Sequence, residues 1–223
     1  MKLSNYKNRL LLAPSIIGGN QANLEESLKE IELSGAKWLH LDVMDGHFVP
    51  NVTFGPSVVK ALRSRTKLFF DVHLMLDNPH CHIQSFIDAG ADLITLHVEP
   101  DYPIEETLGM LKSSDCAIGL ALNPSTSIDK VIPFLSSLNL ILIMTVNPGF
   151  GGQDFMPKCL KKVHALNALK IKNNLDFRIE VDGGISLDNA KSCILAGANT
   201  LVCGTSFFKS KNKEQFHKEI LSM

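Results

Sequence analysis

Two imidazoles and two carboxylates lie where they can meet on one ion. His40 and Asp42 stand two residues apart in His40-Leu41-Asp42, Asp71 and His73 repeat that spacing in Asp71-Val72-His73, and Asp182 ends the run Glu180-Val181-Asp182. Each segment sits in or directly after an apolar run that reads as a strand. A strand period of two puts both members of such a pair on the same face, so His40 and Asp42 can chelate together. Mixed nitrogen and oxygen donors suit zinc, iron(II), cobalt or manganese better than calcium. Beside these ligands stand three glycine-rich turns: Asn147 to Gln153, Gly183-Gly184 and Gly204-Thr205-Ser206. Turns of that kind let backbone N–H groups approach an anion. A metal centre next to a phosphate cradle points to chemistry on a small phosphorylated molecule.

A single His or Asp at a strand end is more often a satisfied polar group or a helix cap than a ligand. Convergence of four such residues is what favours the metal reading for His40, Asp42, His73 and Asp182. Asp45, Asp71, Asp77 and Asp101 are read instead as turn, cap or supporting residues. His97, at the end of a strand, fits either role, and His47, His80, His82, His164 and His217 read as surface or loop positions. Any one glycine turn is equally well an ordinary tight turn. Three of them after the last strands favour an anion site.

The elements that must hold these groups are legible as short β runs at 10–13, 38–43, 68–74, 93–98, 117–122, 140–146, 177–181 and 200–202, with amphipathic stretches between them. The stretch 23–33 is a complete helical pattern: Leu24, Leu28 and Ile31 share a face, Asn23 can cap the start, Glu26 occupies the capping-box position and Gly35 can close the end. Gly35-Ala36, Gly90-Ala91 and Gly197-Ala198 recur between a helical stretch and a β run, consistent with βα units of roughly 27 residues. Eight units fill the 223 residues, which predicts a single (β/α)8 TIM barrel over 1–223, with a doubly wound open sheet as the alternative.

Composition excludes several classes. A formal net charge of -1 gives no electrostatic support for nucleic-acid binding. The five cysteines are scattered and form no C-x-x-C pair, which excludes a disulfide framework and a cysteine zinc site and fits a reducing, cytoplasmic setting. Residues 1–9 are polar and the apolar run after them is broken by Pro14, so no signal peptide is expected. No stretch approaches the roughly 20 apolar residues of a membrane span.

Leu12 to Ser15, HLDVMDGHFVPN from His40 to Asn51, DVHLM from Asp71 to Met75, MTVNPGFGGQ from Met144 to Gln153, EVDGG from Glu180 to Gly184 and the closing Gly204-Thr205 together resemble the ribulose-phosphate 3-epimerase family. The resemblance spans nearly the whole chain, in order. It departs from the expected pattern around Cys81-His82, where a more charged helical segment would stand. The resemblance implies a ribulose-phosphate-binding barrel that interconverts D-ribulose 5-phosphate and D-xylulose 5-phosphate in the pentose phosphate pathway. It implies that His40, Asp42, His73 and Asp182 ligate one divalent ion, that Asp42 and Asp182 double as acid and base, and that the ion stabilises the enediolate between the two proton transfers. Ser15 would hydrogen-bond the substrate and His73 would lie against it. Met44, Met75 and Met144 would line the reacting centre, and Gly149, Phe150, Gly151, Gly152, Gly183, Gly184, Gly204 and Thr205 would surround the phosphate.

That set makes chemical sense. Inverting a carbon beside a ketone removes its proton on one face and returns one on the other, so two opposed acid/base groups are needed. No redox or other organic cofactor is required. The competing expectations are a 3-epimerase of a six-carbon ketose phosphate such as allulose 6-phosphate, a phosphate-binding lyase or decarboxylase, and a non-catalytic sugar-phosphate binder. Barrels of the lyase class usually carry a lysine at a strand end, where this chain has Asp or His. The sequence leaves the native metal and any homo-oligomeric state open, and the loop after the sixth strand has the glycine content of a lid.

Overall fold

The computed structural model describes residues 3–6 and 9–223; of the expected single domain 1–223 and the polar N-terminal stretch, residues 1, 2, 7 and 8 lie outside it. Eight parallel strands are present: β1 (Leu11–Pro14), β2 (Trp38–Met44), β3 (Phe69–Met75), β4 (Leu93–His97), β5 (Ala117–Leu122), β6 (Leu140–Met144), β7 (Arg178–Asp182) and β8 (Thr200–Cys203). Consecutive strands pair from β2 to β8, and β8 pairs with β1. Between β1 and β2 a lone parallel bridge joins Ser15 to His40. The sheet thus closes into the expected barrel, and the open-sheet alternative falls.

Around it run α1 (Leu24–Leu33), α2 (Pro56–Arg63), α3 (Ile83–Asp88), α4 (Ile104–Lys112), α5 (Leu160–Lys172), α6 (Leu187–Ala196), α7 (Thr205–Lys209) and α8 (Lys213–Leu221). The Asn23 side chain accepts from the Glu26 backbone N–H at the start of α1. The Glu26 carboxylate meets the Asn23 side-chain amide at 3.0 Å rather than closing a backbone capping box. Gly35, Gly90 and Gly197, the recurring glycines, all take positive φ just beyond α1, α3 and α6, the left-handed turn that a glycine makes without strain. Alternation is not complete: β5 and β6 are joined by two 3₁₀ segments, Ile128–Lys130 and Ile132–Ser137. Pro133 removes one backbone donor there, which disfavours a longer α-helix. Gly204-Thr205 opens α7, a five-residue helix that is followed by α8.

The period-two alternation of the strands divides the apolar residues into two cores. Outward residues such as Leu39, Leu41, Phe70, Val72 and Leu74 are buried against the helices. Inward residues change character from one end of the barrel to the other. At the N-terminal end Trp38 and Phe69 stack with ring centroids 4.4 Å apart, and Tyr6 meets both edge-on. Arg178 is buried beside them, donating to the carbonyls of Tyr6 and Arg9 at 2.7 Å, to the Asn199 carbonyl and to Thr200 Oγ1. A buried guanidinium is tolerated when its donors are satisfied in this way. Truncating Trp38 would cost about 3–5 kcal/mol by opening this plug. One layer up the inward residues become His40, Asp71 and Glu180, then Asp42, His73 and Asp182 with Met144 paired beside Asp182, and finally Met44 and Met75.

Candidate active site

Register brings the polar layers together. Pairing of β2 with β3 sets His40 beside Asp71, Asp42 beside His73 and Met44 beside Met75. The lone bridge from β1 sets Ser15 beside His40, and Ser15 Oγ donates to Asp42 Oδ2 at 2.5 Å. Asp182 arrives from β7, with β8 and β1 between it and β2.

His40 Nε2 lies 3.2 Å from Asp42 Oδ1, and His73 Nδ1 lies 3.0 Å from the same oxygen. Asp182 Oδ2 stands 4.0 Å from both nitrogens. These four residues each offer one ligand atom, all within 4.8 Å of one another. Bonds of 2.0–2.2 Å in a tetrahedral shell require donors about 3.4 Å apart, so the observed separations fit one first-row divalent ion. The nitrogen and carboxylate donor set fits the same ions. His40 Nδ1 is 2.7 Å from Asp71 Oδ2, the carboxylate support that fixes a ligating imidazole. Asp71 is thus a supporting residue, as expected, and not a member of the four.

Electrostatics separate the carboxylates. Burial opposes charge on Asp42, but His40 and His73 outweigh it and hold the carboxyl far below the usual carboxylate range. Asp182 is pushed up to about 7, first by burial and then by the charge of Asp42. Burial acts to lower His40, yet Asp42 and Asp71 raise it well above the ordinary imidazole value. His73 falls to about 4, chiefly through burial. Beneath them Glu180 is fully buried, with neither carboxyl oxygen hydrogen-bonded. Burial and the neighbouring Asp71 push its carboxyl well up, which favours the neutral form where a charge would cost several kcal/mol.

Above the polar layer opens a cavity of about 610 Å³. Ser15, Asp42, Met44, Met75, Met144, Gly149, Phe150, Gly151, Gly152, Asp182, Gly183, Gly184, Gly204 and Thr205 all line it. His73 does not. It is fully buried below the floor, where it can act as a ligand and through Asp42 rather than as a wall. Among the described residues no Lys or Arg lines the cavity, so an anion there must be held by backbone N–H groups, hydroxyls and side-chain amides. The Gly183-Gly184 turn is built for close approach: both have positive φ, and a Cβ would fall 2.8 Å from the Val146 nitrogen at Gly183 and 2.6 Å from the Phe155 nitrogen at Gly184.

Sequence reasoning missed several lining residues. Ser186 caps α6 in a full capping box with Asn189 and faces the cavity; the Ser-x-x-Asn spacing was a readable but weak signal. Asn51 Nδ2 donates to the Gly149 carbonyl at 2.8 Å, tying the loop after β2 to the loop after β6. Gln21, from the loop after β1, lines the cavity with no motif to mark it. Asp45, read as a turn residue, does accept from the backbone of His47, Phe48 and Asp77.

Comparison with known proteins bears on the whole barrel. The model of the Ribulose-phosphate 3 epimerase family matches residues 11–208. The chloroplastic ribulose-5-phosphate-3-epimerase of Arabidopsis thaliana is 43% identical over 216 residues, covering 96% of this chain and 77% of that protein. The ribulose-phosphate 3-epimerase of Bacillus subtilis is 40% identical over 94% of this chain and 97% of its own length. Among solved structures, 3-hexulose-6-phosphate synthase from Salmonella typhimurium superposes with a TM-score of 0.67 at 17% identity, covering 96% of this chain and 97% of that one. A tryptophan synthase α-subunit from Pyrococcus furiosus gives 0.69 at 12% identity, over 97% and 99%. Those two likenesses are of fold.

Proposed function

Since this chain belongs to the ribulose-phosphate 3-epimerase family and is an isomerase, we propose that it inverts C3 of D-ribulose 5-phosphate to give D-xylulose 5-phosphate, with Asp42 and Asp182 exchanging the proton. The carrying observation is the pair itself. The two carboxyls reach one cavity from strands separated by two others, and their environments push their proton affinities in opposite directions. Opposed carboxyls of unequal basicity are what a two-base inversion requires.

The residues have separable tasks in this reading. The backbone of the loops after β6, β7 and β8, with the hydroxyls of Ser186 and Thr205, holds the phosphate and so sets the distance of C3 from the floor. Ser15 donates to Asp42 and orients the carboxylate beside C3. Asp42 and Asp182 stand on different sides of the chain of the sugar, one to take a proton and the other to return one. Met44, Met75 and Met144 narrow the space above them with groups that neither donate nor accept strongly, keeping the proton between the two carboxyls. His40, Asp42, His73 and Asp182 would hold a divalent ion, zinc, iron(II), manganese or cobalt, which supplies Lewis-acid stabilisation of negative charge on the sugar oxygens. No organic cofactor enters. Residues 1–223 serve as one catalytic domain, and the five free thiols suit a reducing, cytoplasmic setting. No helix among the described residues is long and apolar enough to cross a membrane.

A cavity of about 610 Å³ also has room for a six-carbon ketose phosphate. The proposal is tested by proton NMR of ribulose 5-phosphate with the purified chain, before and after chelation and with metal restored. Appearance of xylulose 5-phosphate that is lost with chelator and regained with metal is expected. Preferential turnover of allulose 6-phosphate in direct competition would move the substrate to the six-carbon ketose.

A further inference from the structure

The two histidines of the candidate metal centre present opposite nitrogens to it, and each is backed by a carboxylate. For His40 the backing is direct, from Asp71 to Nδ1. For His73 it runs through a second imidazole. His73 Nε2 lies 2.9 Å from His97 Nε2, with the rings 5.0 Å apart and tilted by 29°. His97 Nδ1 lies 2.8 Å from Glu99 Oε2, and Glu99 Oε1 accepts from the Asn123 backbone N–H at 2.7 Å. Both imidazoles are fully buried, and Phe48 packs against His97 at 4.7 Å.

With His73 Nδ1 committed to an ion in place of a proton shared with Asp42, such a row admits one consistent arrangement of protons. Two facing Nε2 atoms need one donor and one acceptor between them. If His97 donated from Nε2, its bare Nδ1 would face the Glu99 carboxylate, lone pair against lone pair. If His97 donates from Nδ1 to Glu99, its Nε2 accepts from His73 Nε2–H, and His73 Nδ1 is left bare. That bare nitrogen is the one facing Asp42 and Asp182.

We propose that Glu99, acting through His97, is a positioning residue that locks His73 in the Nε2–H tautomer and so keeps Nδ1 free to ligate the divalent ion. The proposal rests on the metal-centre reading given above. Neither His97 nor Glu99 lines the cavity, so neither acts by touching substrate. Glu99 is drawn from the loop after β4, a strand that contributes nothing to the ligand set itself.

Full-length chain labelled with ¹⁵N-histidine tests this through two-bond ¹H–¹⁵N spectra before and after addition of zinc, with zinc affinity measured by chelator competition. In the zinc-loaded wild type, His73 should carry its proton on Nε2 and His97 on Nδ1. Zinc should also shift His73 Nδ1, which in the metal-free chain can share a proton with Asp42. Glu99→Gln removes the directing charge, since its amide can donate or accept; the His73 tautomers should mix and zinc affinity should fall about 10–100-fold. A zinc-loaded wild-type spectrum with His97 protonated on Nε2 in place of Nδ1, or with the proton on His73 Nδ1, would overturn the proposal even if the variants fail to fold. So would unchanged tautomers and zinc affinity in Glu99→Gln. Absence of zinc binding by the folded wild type would instead remove the metal-centre reading on which the relay depends.

Discussion

On the β2, β3 and β7 side of the cavity, the atoms that matter belong to side chains rooted on strands; on the β6 to β8 loop side, they belong to the backbone. The first region works by what is present: His40 and His73 are held 3.0–4.0 Å from the carboxylates of Asp42 and Asp182 by paired strands and by Asp71 beneath. The second works by what is missing, since Gly183 and Gly184 leave no room for a Cβ. A proton must be taken from one atom, which demands fixed side chains. A phosphate presents several equivalent oxygens and is met by many weak donors at once, which backbone supplies. Rigidity is therefore concentrated where atoms must be placed singly.

This contrast predicts different kinetic signatures for damage to the two regions. Asp42→Asn and Asp182→Asn remove a proton carrier while keeping shape, so kcat should fall about 10²–10⁴-fold with little change in KM. Retention of more than a tenth of wild-type kcat by both would break the two-base account. Asp71→Asn reaches the same region from below: with the His40 Nδ1 acceptor weakened, metal affinity should drop about 10–100-fold, read by chelator competition, while the circular dichroism spectrum is unchanged.

Metal affinity should also depend on pH. Ligands bind in their deprotonated forms. With Asp182 at about 7 and His40 raised, both lose protons on metal binding. Affinity should thus weaken as pH falls through 7, by about tenfold per unit for each proton released. Competition measurements at several pH values between 6 and 8 would show it, and a flat profile would contradict the proton assignments. The backbone region gives the smallest effect. Gly152 has φ of +76° on the cavity wall, so Gly152→Val should raise KM roughly tenfold through strain and lost approach, leaving kcat nearly intact. A kcat loss without a KM change would mean that the two regions are not separable.

How much of this was legible in the sequence follows from the range of the interactions. Strand alternation is local, so the shared face of His40 and Asp42, and of Asp71 and His73, could be read directly and holds in the barrel. The glycine punctuation at Gly35, Gly90 and Gly197 is likewise a property of a few neighbouring residues. Hidden features depend on pairing across strands. His97 stood at a strand end with no partner in view, because its contacts to His73 and to Glu99 combine inter-strand register with a loop that turns back. No motif marks Arg178, and only barrel closure supplies its buried carbonyl acceptors. The missing α-helix between β5 and β6 had a visible cause in Pro133 but no visible outcome, since 3₁₀ segments leave little periodic trace.

The most direct test of the central claim, two aspartates acting on opposite faces of one carbon, is the early fate of the C3 proton in D₂O. Ribulose 5-phosphate carrying protium at C3 is converted for less than one turnover of the pool, and product and recovered substrate are examined separately by NMR. The account predicts xylulose 5-phosphate deuterated at C3, with the remaining ribulose 5-phosphate still largely protonated, because one carboxyl removes the proton and a second, equilibrated with solvent, returns another. Substantial transfer of the original protium into product would show a single group serving both faces and would contradict it.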